Sequence, residues 1–181
     1  HNRIKDVTKD VEELKKNTDE SISNTEAEIA VFRDKAAQYE ELREKADRTA
    51  GEEEKLARLA EELQQYVPNG TQLINEQTGA YNSLADSVDS VSEAMRRKAT
   101  IAAYEDEYTG LIKEQIEAEK NLKDAQEKLF NVSKLGLAGE VFNAKDYNDA
   151  AKAVEDIENR LLELDIELNK LYENNKKNSV F

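Results

Sequence analysis

From Ile4 the apolar positions of the chain advance by threes and fours through Val7, Val11, Leu14, Thr18, Ile22, Thr25, Ile29, Phe32, Ala36 and Tyr39. Such steps keep one stripe on one face of an α-helix, as in a coiled-coil strand, and predict a long amphipathic helix over residues 1–48. Two fours in succession, Leu14 to Thr18 to Ile22, resemble a stutter and predict local unwinding of the supercoil there. Thr18 and Thr25 on the stripe predict a weak, hydrated seam.

The stripe breaks near 47–51. Thr49 can cap a new helix while Glu52, three residues on, reaches back to the cap's own N–H, a capping box that leads into Leu56, Leu59, Leu63 and Tyr66. Pro68 ends this helix, and Asn69 with Gly70 suits a turn. Residues 71–82, TQLINEQTGAYN, carry no helical stripe, and their Gln-Thr-Gly centre fits either a tiny β-hairpin or a plain loop. Residues 49–82 thus read as a short capped helix followed by a turn or hairpin.

With Asn82 or Ser83 as cap, a third helix over 83–135 opens on Leu84, Val88, Val91 and Met95 and slips phase across 96–100. It then runs in heptad steps through Ile101, Tyr104, Tyr108, Leu111, Gln115, Ala118, Leu122, Ala125 and Leu129. Gly110 inside it costs about 1 kcal/mol relative to Ala, and so marks a bend or a close helix approach. Gly136 and Gly139 stop the helix after Leu135, and Asn143 with Asp146 can cap a fourth. Its stripe, Tyr147, Ala150, Val154, Ile157, Leu161, Leu164, Leu168 and Leu171, is the most apolar in the chain; residues 136–181 therefore read as a loop and an antiparallel C-terminal helix.

The expected packing seam joins Ile101, Tyr104, Tyr108, Leu111, Leu122 and Leu129 to Tyr147, Val154, Ile157, Leu161, Leu164, Leu168 and Leu171. Near the turn, Leu122, Ala125 and Leu129 should meet Tyr147, Ala150 and Val154. The fold class expected is all-α, an elongated arrangement of antiparallel coiled-coil or helical hairpins. A 45-residue helix reaches about 67 Å. The tail NNKKNSVF has no pattern and should fray.

Composition changes this picture little. The 181 residues are 38% hydrophobic and 36% charged, with one Pro, six Gly, no Cys and no Trp. That mixture suits either long helices or a disordered chain, and the regular stripes favour helices. Forty acidic against 26 basic residues give a formal charge of −14, so the surface offers no basic patch for nucleic acid or anionic lipid. No apolar run approaches the roughly 20 residues that span a bilayer, and the N-terminal sequence lacks a signal-peptide core. A start at His1 rather than Met leads us to expect part of a longer protein.

The chain is not expected to be an enzyme, nor to hold a cofactor or metal. Its only histidine is His1, and with no Cys most catalytic and zinc templates fail at the first residue; no GxxxxGK[ST] or GxGxxG occurs. EYTG around Gly110 fails as a calcium loop, because Ile116 falls where the bidentate Glu is required. The run Glu52, Glu53, Glu54 fits the first turn of a helix through the macrodipole better than a metal site. Tyr39, Tyr66, Tyr104, Tyr108 and Tyr147 fit seam packing better than ligand stacking. The sequons at Asn69 and Asn131 are best read as chance occurrences.

One stretch carries more than periodicity. KADRTAGEEEKLARLAEELQQYVP (45–68), NEQTGAYNSLADSVDSV (75–91) and IAAYEDEY (101–108) resemble the coiled-coil portion of tail tape measure proteins of phages and prophages of Gram-positive bacteria. The features that carry the resemblance, in order, are Thr49, Glu52, Glu53, Glu54, Leu56, Leu59, Leu63, Pro68, Glu76, Gly79 and Tyr81, within about residues 30–130. The resemblance implies a structural segment of an extended helical ruler and scaffold in viral tail assembly. It would lie in the virion tail lumen, and in the bacterial cytoplasm during assembly, with no catalytic residues. It implies self-association or other phage tail proteins, tail tube and assembly chaperones, as partners, with no direct nucleic-acid binding and no membrane contact. The alternative is a coiled-coil adaptor or surface module of a bacterial protein that docks a protein partner. Oligomeric state is open between dimer, trimer and intramolecular hairpin.

Overall fold

The stripes become four α-helices among the described residues: α1 (Asn2–Glu44), α2 (Ala50–Gln64), α3 (Val88–Lys134) and α4 (Ala144–Asn178), with one 3-10 turn at Ala85–Ser87. The computed structural model describes residues 2–68, 71–134 and 144–178. The expected turn at Asn69–Gly70, the stop and cap signals at Leu135–Asn143 and tail residues 179–181 lie outside them; tail residues 174–178, expected to fray, instead continue α4. The chain is all-α, its helices packing on one another, with no strand among the described residues.

Each joint has a local cause. The first helix ends at Glu44, not at residue 48 as the stripe suggested, because Arg48 folds back over its end. Arg48 Nη1 donates to the carbonyls of Leu42 and Arg43 at 3.2 Å and of Lys45 at 3.1 Å, satisfying acceptors that a helix C-terminus leaves open. The capping box is present: the Glu52 N–H donates to Thr49 Oγ1 and the Thr49 N–H to Glu52 Oε1, each at 3.2 Å. Glu52 and Glu53 occupy the first turn of α2, where the macrodipole favours them.

Between α2 and α3 the chain turns on Asn75 and Gly79. Asn75 Oδ1 accepts from the N–H groups of Gln77 (3.0 Å) and Thr78 (3.2 Å), and Gly79, at φ +68°, donates to the Asn75 carbonyl at 2.7 Å. A positive φ is the conformation glycine adopts without steric cost. The flanks meet at one isolated antiparallel bridge, Ile74 with Tyr81, so the 71–82 segment is a minimal hairpin without strands.

The regular third helix starts at Val88, not at residue 83, after the 3-10 turn. Ser83 Oγ accepts from the Ala85 N–H at 3.2 Å, while the Leu84 N–H and the Ser83 hydroxyl both donate to Glu40 of α1. The start of α3 is therefore held largely from another helix. Neither slip in the stripes interrupts its helix: α1 and α3 run unbroken through 14–22 and 96–100. Thr18 and Thr25 are buried, and the Thr18 hydroxyl donates to the Leu14 carbonyl at 2.9 Å, so both threonines lie inside the seam and not at its solvent edge.

The contacts divide the chain into two units, His1–Ser21 with Ile101–Asn174, and Ile22–Thr100 with Asn175–Phe181. In the first, Val7 of α1, Leu111 and Ala118 of α3, and Ala153, Val154, Ile157 and Leu164 of α4 form the core. In the second, the core joins Phe32, Ala36 and Tyr39 of α1 to Leu56, Leu59, Ala60 and Leu63 of α2, and to Val67, Leu73, Leu84 and Val91 beyond it. Each fully buried Leu, Ile or Phe contributes about 1.5–3 kcal/mol. Within the second unit Arg96 pairs with Glu26 and Arg33 with Asp89; partner numbers fall as α1 numbers rise, so α1 and α3 run antiparallel there.

Candidate functional site

The seam of the first unit is the candidate site, since Tyr104, Tyr108 and Tyr147 lie there with a buried ion pair. Leu111, Val154, Ile157, Leu164 and Leu168 are buried. Tyr104, Tyr108, Leu122 and Leu161 pack against the core from half-buried positions, and Ile101, Tyr147 and Leu171 are half-buried. Leu129 stands apart, with 42% of its surface exposed. Leu129 is not a member of the buried core of the first unit.

Sequence reasoning missed the centre of this seam. Glu107 is only 2% exposed, and Arg160 of α4 grips it with both arms of the guanidinium, Nε to Oε1 at 2.7 Å and Nη2 to Oε2 at 3.0 Å. Arg160 also donates to Glu163 at 3.1 Å. Burial acts to lower the Arg160 pKa, yet the bonds to Glu107 raise it on balance, as a two-pronged charge-assisted pair should. A signal was present: Glu107 lies three residues after Tyr104 and four before Leu111, and Arg160 three after Ile157 and four before Leu164, so each belongs to its own apolar face.

Further polar groups tie α3 to α4. Tyr172 Oη donates to Glu105 Oε1 at 2.5 Å, and Tyr104 has its pKa raised by burial and by the nearby charge of Glu167. Glu114 is half-buried, its Oε2 has no hydrogen-bond partner, and its carboxyl is pushed above the usual range by burial and by Asp10 and Glu117. At Gly110 the close-approach reading holds. A Cβ there would lie 3.0 Å from Leu14 Cδ2 and 3.2 Å from Cδ1 of α1, so the missing side chain lets the two helices meet.

In the second unit Tyr39 is fully buried, and its hydroxyl donates to the Asn82 carbonyl at 2.6 Å and the Leu73 carbonyl at 3.4 Å. Burial, followed by the charge of Glu40, pushes its pKa to about 12. Tyr66 does not join the core: α2 has ended by Gln65, Val67 takes the buried place, and Tyr66 lies 43% exposed with its ring 5.1 Å from Phe32. Beside it runs an open groove of about 440 Å³ lined by Tyr66, Val67, Pro68, Thr71, Ser90 and Val91, among others.

No group of three or more acidic, His or Cys side chains placed to hold a metal occurs among the described residues. No helix among them is long and apolar enough to cross a membrane. The arrangement can fix helix register through directional bonds. No protein-family model, curated protein or solved structure matches the chain.

Proposed function

We propose that this chain is a structural segment of a phage tail tape measure protein, an extended helical ruler and scaffold in tail assembly, without catalytic activity. The observation that carries the reading is where the polar chemistry goes. Glu107, Arg160, Tyr172 and Glu105 join α3 to α4, and Tyr39, Glu40 and Arg48 secure the joints between helices. Long helices give a nearly linear relation between residue number and length, at about 1.5 Å per residue, as a ruler requires. The ordered features of the resemblance have distinct structural places: the capping box at Thr49 opens α2, and the left-handed Gly79 and the half-buried Tyr81 lie in the α2-to-α3 connection.

The acidic surface keeps the segment from adhering to nucleic acid that shares its surroundings. Its partners are further copies and other tail proteins. A second reading, a protein-binding adaptor, is favoured by the groove beside Tyr66. Deleting residues 22–100 in frame from the full-length gene separates the two. Electron micrographs should show shorter tails; tails of unchanged length would overturn the ruler reading.

A further inference from the structure

We propose that residues 71–84 are a strap that opens as a unit from the second unit's core, and that Tyr39 and Glu40 of α1 are the latch holding it shut. The inference does not depend on the tail reading.

The strap has little structure of its own. Its internal backbone bonds include those at the Asn75–Gly79 turn, Asn75 N–H to Ala80 at 2.8 Å and Asn82 N–H to Leu73 at 2.7 Å, and residues 76–80 are exposed. Its apolar attachment is Leu73 and Leu84, both buried, with Tyr81 packed alongside. Side chains of two helices supply the rest. Gln64 of α2 brackets one end, donating to the Thr71 carbonyl at 2.6 Å and accepting from the Leu73 N–H at 2.9 Å. At the other end the Tyr39 hydroxyl takes the Asn82 carbonyl, and the next residue of α1, Glu40, takes the Ser83 hydroxyl at 3.1 Å and the Leu84 N–H. Two adjacent α1 residues thus hold three consecutive strap residues.

The helices also meet one another outside the strap, through the core residues Phe32 and Ala36 of α1 and Leu56, Leu59 and Leu63 of α2 and through ion pairs. Lys35 pairs with Glu62 at 2.9 Å between α1 and α2, and Arg33–Asp89 and Arg96–Glu26 join α1 to α3. An element held by a few polar bonds and two buried Leu opens at lower free energy than the helices beneath it. Opening strips Leu73, Tyr81 and Leu84 from Tyr39 and the α2 leucines and bares an apolar face.

The latch is sensitive to acid. Glu40 faces Arg43 (2.9 Å) on its own helix, with Glu44 beyond it, and Ser83 and Leu84 on the strap. Burial raises the Glu40 pKa, but the bonds from Leu84, Arg43 and Ser83 outweigh it and hold the carboxyl below its ordinary value. For an acid so depressed, the stabilisation is present above the unfolded-state pKa and is lost as pH falls through the folded value.

Amide hydrogen exchange of the whole chain, followed by mass spectrometry, tests the proposal. In Glu40→Gln the amides of Leu73, Asn75, Asn82 and Leu84 should exchange about 10- to 100-fold faster at neutral pH, the range for losing a charge-assisted hydrogen bond. The amides of α1 and α2 should stay within about twofold. Tyr39→Phe and Ser83→Ala, milder changes, should act in the same direction. Corrected for intrinsic rates, wild-type strap exchange should accelerate on acidification ahead of the helices, and Glu40→Gln should lose that acceleration. Strap amides that exchange in step with α1 and α2 in every variant and at every pH would overturn the strap. Unchanged strap exchange in Glu40→Gln would overturn the latch.

Discussion

Removing Arg160 should damage the first unit far more than an ordinary ion-pair loss. The side chains of Arg160 and Glu107 are 12% and 0% exposed, so Arg160→Ala leaves a carboxylate in the core with neither water nor partner. Exposed pairs contribute about 0–1 kcal/mol, whereas breaking a buried pair from one side costs about 3–5 kcal/mol. For a chain of this size that corresponds to a midpoint lowered by roughly 6–20 °C. The bond to Glu163 is exposed on that side, and Glu163→Ala should cost under about 0.5 kcal/mol. The paired change Glu107→Leu with Arg160→Met fills the same space without charge and should recover to within about 1 kcal/mol of the parent. Urea unfolding followed by circular dichroism on the four corners of this cycle measures the coupling. A single-variant loss below about 1 kcal/mol, or a double variant that simply sums the singles, would refute the reasoning.

Other consequences can be checked on the same instrument. Thr49→Ala should cost about 0.5–2 kcal/mol by removing one arm of the capping box, read as earlier unfolding of the second unit. Gly110→Ala exchanges a helix gain of about 1 kcal/mol against moving the flexible end of Leu14 by a few tenths of an ångström, and should leave stability unchanged or slightly higher. Gly110→Leu overfills the contact and should cost about 1–3 kcal/mol. Glu114, whose folded pKa is raised, favours the fold below its unfolded pKa and loses that advantage as pH rises through the folded value. Glu114→Gln should therefore raise the melting temperature at pH 7 and make little difference at pH 4.

The parts of this fold legible in the sequence are those set by neighbours along the chain. The stripe from Val7 to Tyr39 has no exposed member, and Thr49 with Glu52 announced the start of α2, because periodicity and capping act within a few residues. Features set across space were not legible. Glu40 supplies the start of α3 from 44 positions earlier and leaves no local mark there. The Gly110 contact was readable as one of two possibilities, and Leu14 decides it. Glu107 was passed over because charge was treated as a sign of solvent, whereas its place between Tyr104 and Leu111 puts it on the buried face. Leu129 shows the opposite error, a heptad position that is 42% exposed.

The account rests most heavily on α1 doubling back on α3, so that the long helices support each other. The chain has no cysteine, which permits a clean spin-label pair at Glu26→Cys and Arg96→Cys, measured by pulsed dipolar spectroscopy in excess unlabelled protein. Antiparallel packing at an interaxial distance of about 8–10 Å predicts a label separation below about 25 Å. A second pair, Arg33→Cys with Asp89→Cys, should give a similarly short distance, and Arg33→Cys with Arg96→Cys one longer by about one to two helical turns. Separations of many tens of ångströms in the dilute protein, as an unfolded-back chain rising about 1.5 Å per residue would give, would contradict it.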